Sequence, residues 1–187
     1  MKIFEINAGN YKDPQNMDLL LQVIDIQKEN YLQQDELKNS FLLTIWTRDE
    51  LLTLVSKGSS FFVAVQDSKL IGYLAISSLV DFISQLDSAV RHSFDLSVLN
   101  NSKPWAYLYQ GAVHRSFQKS GISVMLATEI YRKRPGTSFV SDYLLSPYFN
   151  EGSAKALEKF NFVKAGEMVL ENYRGVACTK WQIVILD

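Results

Sequence analysis

Gln118, Gly121 and Ser123 stand at the spacing Q-x-x-G-x-S, between the apolar run Leu108 to Val113 and a segment of helical periodicity beginning near Gly121. A loop that ends a strand and opens a helix presents unpaired backbone N–H groups and the positive end of the helix dipole. A residue without a side chain at that point lets an anion approach those donors. Gly121 provides the gap, and Ser123 is small. The chemistry this arrangement suits is the holding of a pyrophosphate by backbone amides. The same residues also make an ordinary strand-to-helix turn, and short glycine motifs match many such turns by chance. The chain contains neither G-x-x-x-x-G-K-[ST] nor G-x-G-x-x-G, so the loop is not a Walker loop or a dinucleotide fingerprint.

The elements that must position this loop are legible in outline. Phe4 and Ile6 mark a short first strand. Asp13-Pro14 reads as an N-cap followed by a proline at the first helical position, with Leu20, Ile24 and Tyr31 near helical spacing behind it. Thr47-Arg48-Asp49-Glu50 is a capping box, Trp46 and Leu51 can form its hydrophobic staple, and Gly58 is a stop. Phe61 to Gln66 and Leu70 to Ser77 flank Asp67-Ser68 as the strands of a hairpin. Phe82, Leu86, Val90 and Phe94 lie four apart, which predicts a helix from Asp81 to about Phe94, closed by a turn at Asn100-Asn101-Ser102-Lys103-Pro104.

Trp105 to Val113 reads as a strand with Trp105, Tyr107 and Tyr109 on one face. The helix after Gly121 turns Met125, Leu126 and Ile130 inward and ends at Arg132-Lys133-Arg134, before Pro135-Gly136. Ser138 to Leu145 is a strand, and Ser153 to Phe160 a helix with Ala154, Leu157 and Phe160 inward. Strands follow at about Phe162 to Leu170 and Cys178 to Leu186. This mixture of α and β points to a layered α/β sheet rather than a bundle or sandwich.

Composition narrows the function classes. At 187 residues one domain, 1–187, is the default, and 47% hydrophobic residues suffice for a substantial core. A net charge of −1 does not suggest a broad basic face for nucleic acid, and the basic triplet at 132–134 suits the end of a helix dipole. Cys178 is the only cysteine, so no internal disulfide can form; it reads as a core thiol. With His92 and His114 it makes a poor zinc set, so no metal is expected. The N-terminus lacks a long apolar region, and Leu70 to Ile83 is too interrupted to span a membrane. The expectation is a cytoplasmic protein with no membrane or nucleic-acid partner.

Ala112-Val113-His114-Arg115-Ser116-Phe117-Gln118-Lys119-Ser120-Gly121-Ile122-Ser123 resembles the CoA-binding segment of the GNAT acyltransferase superfamily, commonly an apolar strand end followed by Q/R-x-x-G-x-G/A. Ser123 stands where Gly or Ala is more usual. A second block agrees: Asn150, Ala154, Lys159-Phe160-Asn161-Phe162 and Gly166 resemble the family's later helix and following strand, with Asn161 in place of the usual Gly. The resemblance covers about Phe61 to Gly166. It implies a mixed, mostly antiparallel central sheet of six to seven strands flanked by helices, with a helical insert at about 79–103 between the third and fourth strands. It implies acetyl-CoA as acyl donor and a small-molecule or peptide amine as acceptor. By the resemblance, Gly111, Ala112 and Val113 lie on a splayed strand that holds the pantetheine arm. Lys119, Ser120, Gly121, Ile122 and Ser123, with Gln118, hold the pyrophosphate, and Asn150 contacts the cofactor arm.

The catalytic positions of the family are altered. Its usual acid, a tyrosine seven residues after the asparagine, is Leu157 here. The glutamate some members carry five residues before the asparagine is Leu145, and the one others carry in the central strand is Tyr107. Tyr107 and Tyr148 are the catalytic candidates nearest the matched blocks, with Tyr109 and Tyr173 behind them. Each is also a natural packing aromatic. Asp142 offers a base or an exposed edge carboxylate, and His114 follows the strand directly. The insert reads as a helix beside the acceptor site or a homodimer contact. Two functions therefore stand: an N-acetyltransferase, and a catalytically silent CoA-binding sensor or interaction module.

Overall fold

The computed structural model describes residues 1–31, 42–100 and 103–187. In chain order its elements are β1 (Lys2–Ile6), α1 (Pro14–Asn30), α2 (Arg48–Ser56), β2 (Ser60–Gln66), β3 (Lys69–Ser78), α3 (Leu79–Asp87), β4 (Arg91–His92), β5 (Trp105–Val113), α4 (Ile122–Lys133), β6 (Ser138–Ser146), α5 (Glu151–Lys159), β7 (Val163–Tyr173) and β8 (Val176–Leu186). The strands run in the order β1-β2-β3-β5-β6-β8-β7-β4. The residues form two compact units, and β5 contributes Tyr109–Val113 to the first and Trp105–Leu108 to the second.

In the first unit β1 and β2 are antiparallel, and β2 and β3 form the expected hairpin. Asp67 at φ 50° and Ser68 at φ 61° sit between the pair Gln66↔Lys69, the double positive φ of a type I′ turn. The capping box at the start of α2 is complete: the Thr47 hydroxyl accepts from Glu50 N at 3.2 Å, and the Glu50 carboxylate accepts from Thr47 N at 2.8 Å. Leu20, Val23, Trp46, Leu51, Val55, Phe61 and Tyr73 share one buried cluster. Arg134, at the end of α4, pairs with Glu5 at 2.5 Å, and Arg132 pairs with Glu129 at 2.7 Å. Two of the three basic residues are thus engaged within the chain. Met125, expected inward, is 43% exposed, while Ile122, Leu126, Ala127 and Ile130 form the buried face of α4.

In the second unit the first half of β5 lies parallel to β6, and β6-β8-β7-β4 continue antiparallel. The strands number eight among the described residues, against six to seven expected. The segment after β3 explains part of the difference. A helix expected to reach Phe94 stops at Asp87, and Arg91–His92 pairs with Met168 and Val169 of β7. Val90 is 64% exposed, whereas Phe82 and Phe94 are buried and meet edge to face at 5.5 Å. Their four-residue rhythm comes from chain reversal, not from one continuous helix. Asn101 and Ser102 of the expected turn lie outside the described residues. Cys178 is exposed rather than a core thiol, at φ 52° in β8.

The second block of the sequence has local reasons for its residues. Asn161 sits at φ 64°, a left-handed conformation that asparagine tolerates better than most side chains. Gly166 lies at a register shift of the β7–β8 ladder, where a Cβ would come within 2.8 Å of Phe94 Cα and 2.9 Å of Phe94 N. Backbone cannot yield as a flexible side chain can. Gly166→Ala is therefore expected to destabilise the protein by about 1–3 kcal/mol in denaturant unfolding.

Candidate active site

Downstream of β5 the chain is fastened to the end of α1. Gln118 Nε2 donates to Asn30 Oδ1 at 3.0 Å, and Asn30 Nδ2 donates to the Val113 carbonyl at 3.3 Å. One asparagine thus ties together the strand end and the loop. His114 Nδ1 accepts from Ser116 N at 3.2 Å, and its Nε2 faces Glu29 at 3.2 Å. Both ring nitrogens are occupied in holding the loop. Lys119 and Gly121 take positive φ, 64° and 85°, and turn the chain into α4.

Gly121 is the N-cap of α4, with no side-chain capping bond. The first helical bond runs from Met125 N to Gly121 O at 3.0 Å, so the amides of the preceding turn have no partner within the helix. Gln118, Lys119, Ser120 and Gly121 are exposed, Ser123 is half-buried, and a Cβ built on Gly121 would meet nothing within 4 Å. Ile122 is buried and anchors the turn from below. The result is an open, donor-rich helix start with anion-binding character.

The strand that leads into this loop is held from its other side. A Cβ on Gly111 would come within 2.1 Å of Leu74 Cδ2 and 3.2 Å of the Tyr73 carbonyl, so β5 approaches β3 closely there. Gln110 Oε1 accepts from Gln27 Nε2 and from the Tyr73 hydroxyl, both at 2.6 Å. Gln27 Oε1 in turn accepts from Trp46 N at 3.0 Å. Burial pushes the Tyr73 hydroxyl far above its ordinary pKa. Sequence reasoning missed this network. Its only sequence signal is Gln27 on the apolar side of α1.

A second cluster lies wholly in the other unit. Tyr107, 2% exposed, donates its hydroxyl to Asp142 Oδ2 at 2.5 Å, and Gln85 Oε1 lies 3.2 Å from the same phenolic oxygen. Gln85 Nε2 stands 3.5 Å from Asp142 Oδ2 and 3.9 Å from Met168 Sδ. The Tyr107 ring packs on Phe82 at 5.4 Å. Asp142 is not an edge carboxylate: β6 lies between β5 and β8, and the residue is only partly exposed. Burial raises its pKa to about 7, and the Tyr107 hydrogen bond holds it from going higher. The sequence singled out Tyr107 and Asp142, and the structure joins them. It missed Gln85, whose place beside Leu86 on the flank of a buried stripe was the available signal.

The remaining candidates have other surroundings. Asn150 caps α5, accepting from Ser153 N at 3.1 Å, while its own N donates to the Leu144 carbonyl at 3.0 Å. Tyr148 is half-buried in the β6–α5 connection. Tyr109 packs on Trp46 at 5.6 Å, and Tyr173 packs on Trp181 at 4.9 Å. Leu157 is buried in α5, so that position holds a core side chain. Among the described residues no group of three or more His, Cys, Asp or Glu side chains is placed to hold a metal, and no helix is long and apolar enough to cross a membrane.

Because folding raises the Asp142 pKa, its stabilising contribution is complete below about pH 4 and is lost as pH rises through about 7. Asp142→Asn removes this titration. Relative to wild type, the variant should gain roughly 2–3 kcal/mol between about pH 5 and pH 8 in denaturant unfolding measured at each pH.

Comparison with known proteins places the fold. No curated protein sequence matches the chain. Among solved structures, an N-acetyltransferase from Staphylococcus aureus is 15% identical with TM-score 0.60, the match covering 100% of this chain and 99% of that one. The ribosomal-protein-S18-alanine N-acetyltransferase from Escherichia coli is 12% identical with TM-score 0.62, covering 99% of this chain and 93% of that one. Arabidopsis thaliana NAA60 in complex with acetyl-CoA is 15% identical with TM-score 0.61, covering 99% and 97%. At such identities the likeness is one of fold. The model of the acetyltransferase (GNAT) family matches residues 20–162, and the chain belongs to that family.

Proposed function

We propose that the protein is an N-acetyltransferase that transfers the acetyl group of acetyl-CoA to a primary amine of a small molecule or peptide. The observation that carries this reading is the uncapped, glycine-opened start of α4 directly after β5, in a chain of this family. The amides of Lys119 to Ser123, with Gln118 and the Lys119 charge, hold the pyrophosphate. The stretch Gly111 to Val113 offers its backbone to the pantetheine arm. The β5–β6 ladder supports this, because its last pair is Leu108↔Ser141 while β5 runs on to Val113. Asn150 is carried over from the resemblance and also caps α5. On this reading the two units belong to one acyltransferase domain, 1–187. A primary amine is the acceptor that such a thioester acylates, given a base to remove its proton. A backbone N–H of β5 between Gly111 and Val113 would stabilise the oxyanion.

A second reading, a CoA-binding module without turnover, has one specific observation behind it. The family's usual acid and one of its base positions are Leu157 and Leu145. Release of CoA thiol across a panel of amines separates the two. The enzyme reading expects amine-dependent release, and CoA binding without release from any amine defeats it. The cradle is tested by Gly121→Trp, whose side chain would cover the exposed donors. CoA affinity by calorimetry should fall at least about tenfold, or about 1.4 kcal/mol. An unchanged affinity in a folded variant would place the pyrophosphate elsewhere.

A further inference from the structure

The loop between β5 and α4 has a fastened half and an open half. Arg115 N donates to Glu29 Oε2 at 3.3 Å, and Ser116 N to His114 Nδ1 at 3.2 Å. Phe117 N and Gln118 N donate to the carbonyls of His114 and Arg115 at 2.8 and 3.3 Å. From Lys119 onward the pattern changes. Ser120 N reaches the Phe117 carbonyl at 3.3 Å, whereas the amides of Lys119 and Gly121 have no partner among the described residues. We propose that Glu29 and Asn30, in the last turn of α1, and His114 are positioning residues for the pyrophosphate of CoA. They hold the loop in shape without touching the ligand, and His114 does so only while neutral. This deepens the CoA-binding half of the reading above and rests on it.

Asn30 is the centre of the clasp. Its Oδ1 accepts from Gln118 Nε2 at 3.0 Å, and its Nδ2 donates to the carbonyls of Ile26 at 2.8 Å and Val113 at 3.3 Å. Giving and accepting at once requires a carboxamide; a carboxylate can only accept. Gln118 stands directly before Lys119, whose φ is 64°. Fixing its side chain therefore fixes where the chain turns toward α4. Backbone amides bind an anion best when their directions are set before it arrives. Glu29, Asn30 and the whole loop lie in the first unit.

His114 caps the turn over 115–117. Because Nδ1 accepts from Ser116 N, the ring proton sits on Nε2, which faces Glu29 Oε1 at 3.2 Å. Protonation places an N–H on Nδ1 opposite the Ser116 N–H, two hydrogen-bond donors with no acceptor between them. The cap is lost. Glu29 from α1 is the charged group facing the ring, Arg115 is its cationic neighbour in the loop, and Phe117 packs on it edge to face at 5.9 Å. The His114 and Glu29 side chains are 36% and 35% exposed, so water reaches both. Charge and cap act with opposite sign. An imidazolium acting through charge alone would attract the pyrophosphate and tighten binding at low pH. Loss of the cap loosens the loop and weakens it.

The test is CoA affinity by calorimetry between about pH 5.5 and pH 8, the window in which histidines change charge. Wild type is compared with His114→Asn, His114→Ala and Asn30→Ala, each checked for folding by thermal unfolding. Asparagine offers the same cap with nothing to titrate. Ionisation of the CoA phosphates is common to all four proteins and cancels in the ratios. At pH 8 His114→Asn should bind within about threefold of wild type, and His114→Ala about tenfold more weakly. Relative to His114→Asn, wild type should lose about fivefold or more in affinity as pH falls to 5.5. Asn30→Ala should bind about tenfold more weakly at every pH. Wild-type affinity that follows His114→Asn at every pH, or rises relative to it as pH falls, overturns the role of His114. A folded Asn30→Ala protein with unchanged affinity overturns the clasp. If wild type binds no CoA at any pH, the CoA-binding reading itself falls, and the clasp with it.

Discussion

Much of this structure follows from the parallel pairing of β5 with β6. Antiparallel neighbours can be joined by a tight turn, as β2 and β3 are. Parallel neighbours cannot, because the chain must travel back to start the second strand at the same end. Residues 114–137 make that return, and α4 is the element that does it. The crossover fixes where a helix begins: just beyond the carboxyl end of β5. In open sheets with such crossovers that end is where ligands bind. The glycine at 121 and the bare amides of α4 are thus placed by topology before any side chain is considered.

The pairing is also short. It spans four residue pairs, Trp105↔Ser138 to Leu108↔Ser141. The rest of β5 is held by other means. Gln110 is locked to Gln27 and Tyr73, Asn30 grips the Val113 carbonyl and Gln118, and Gly111 allows close approach to β3. Buried amide networks of this kind specify one arrangement when every member has a partner. They hold the second half of β5 within the first unit.

Legibility in the sequence followed the range of the interaction. Thr47 with Glu50, Asp13 before Pro14, and Asp67-Ser68 are local codes, and each appears in the structure as read. The passage from strand through Gly121 to helix was legible for the same reason, because strand end, glycine and helix start are neighbours in sequence. Contacts between distant residues were not legible. Gln27 meets Gln110 across 83 positions, and Gln85 meets Asp142 across 57. Nothing in local spacing announces such pairs. Phe82 to Phe94 misled for a related reason: both rings are buried together, but by a reversal of the chain that periodicity cannot distinguish from a helix. Cys178 misled because apolar character predicts burial only where a residue stays in the ladder, and at φ 52° it does not.

The Leu145 and Leu157 substitutions would leave a GNAT domain without its usual proton-handling groups. The donor half of the account is nonetheless the foundation, since no transfer occurs without the thioester held in place. The most direct measurement is a crystal structure of the protein with CoA bound. The account predicts pyrophosphate oxygens within about 3 Å of the backbone amides between Lys119 and Ser123. Pyrophosphate bound away from α4, with those amides facing only water, would contradict it.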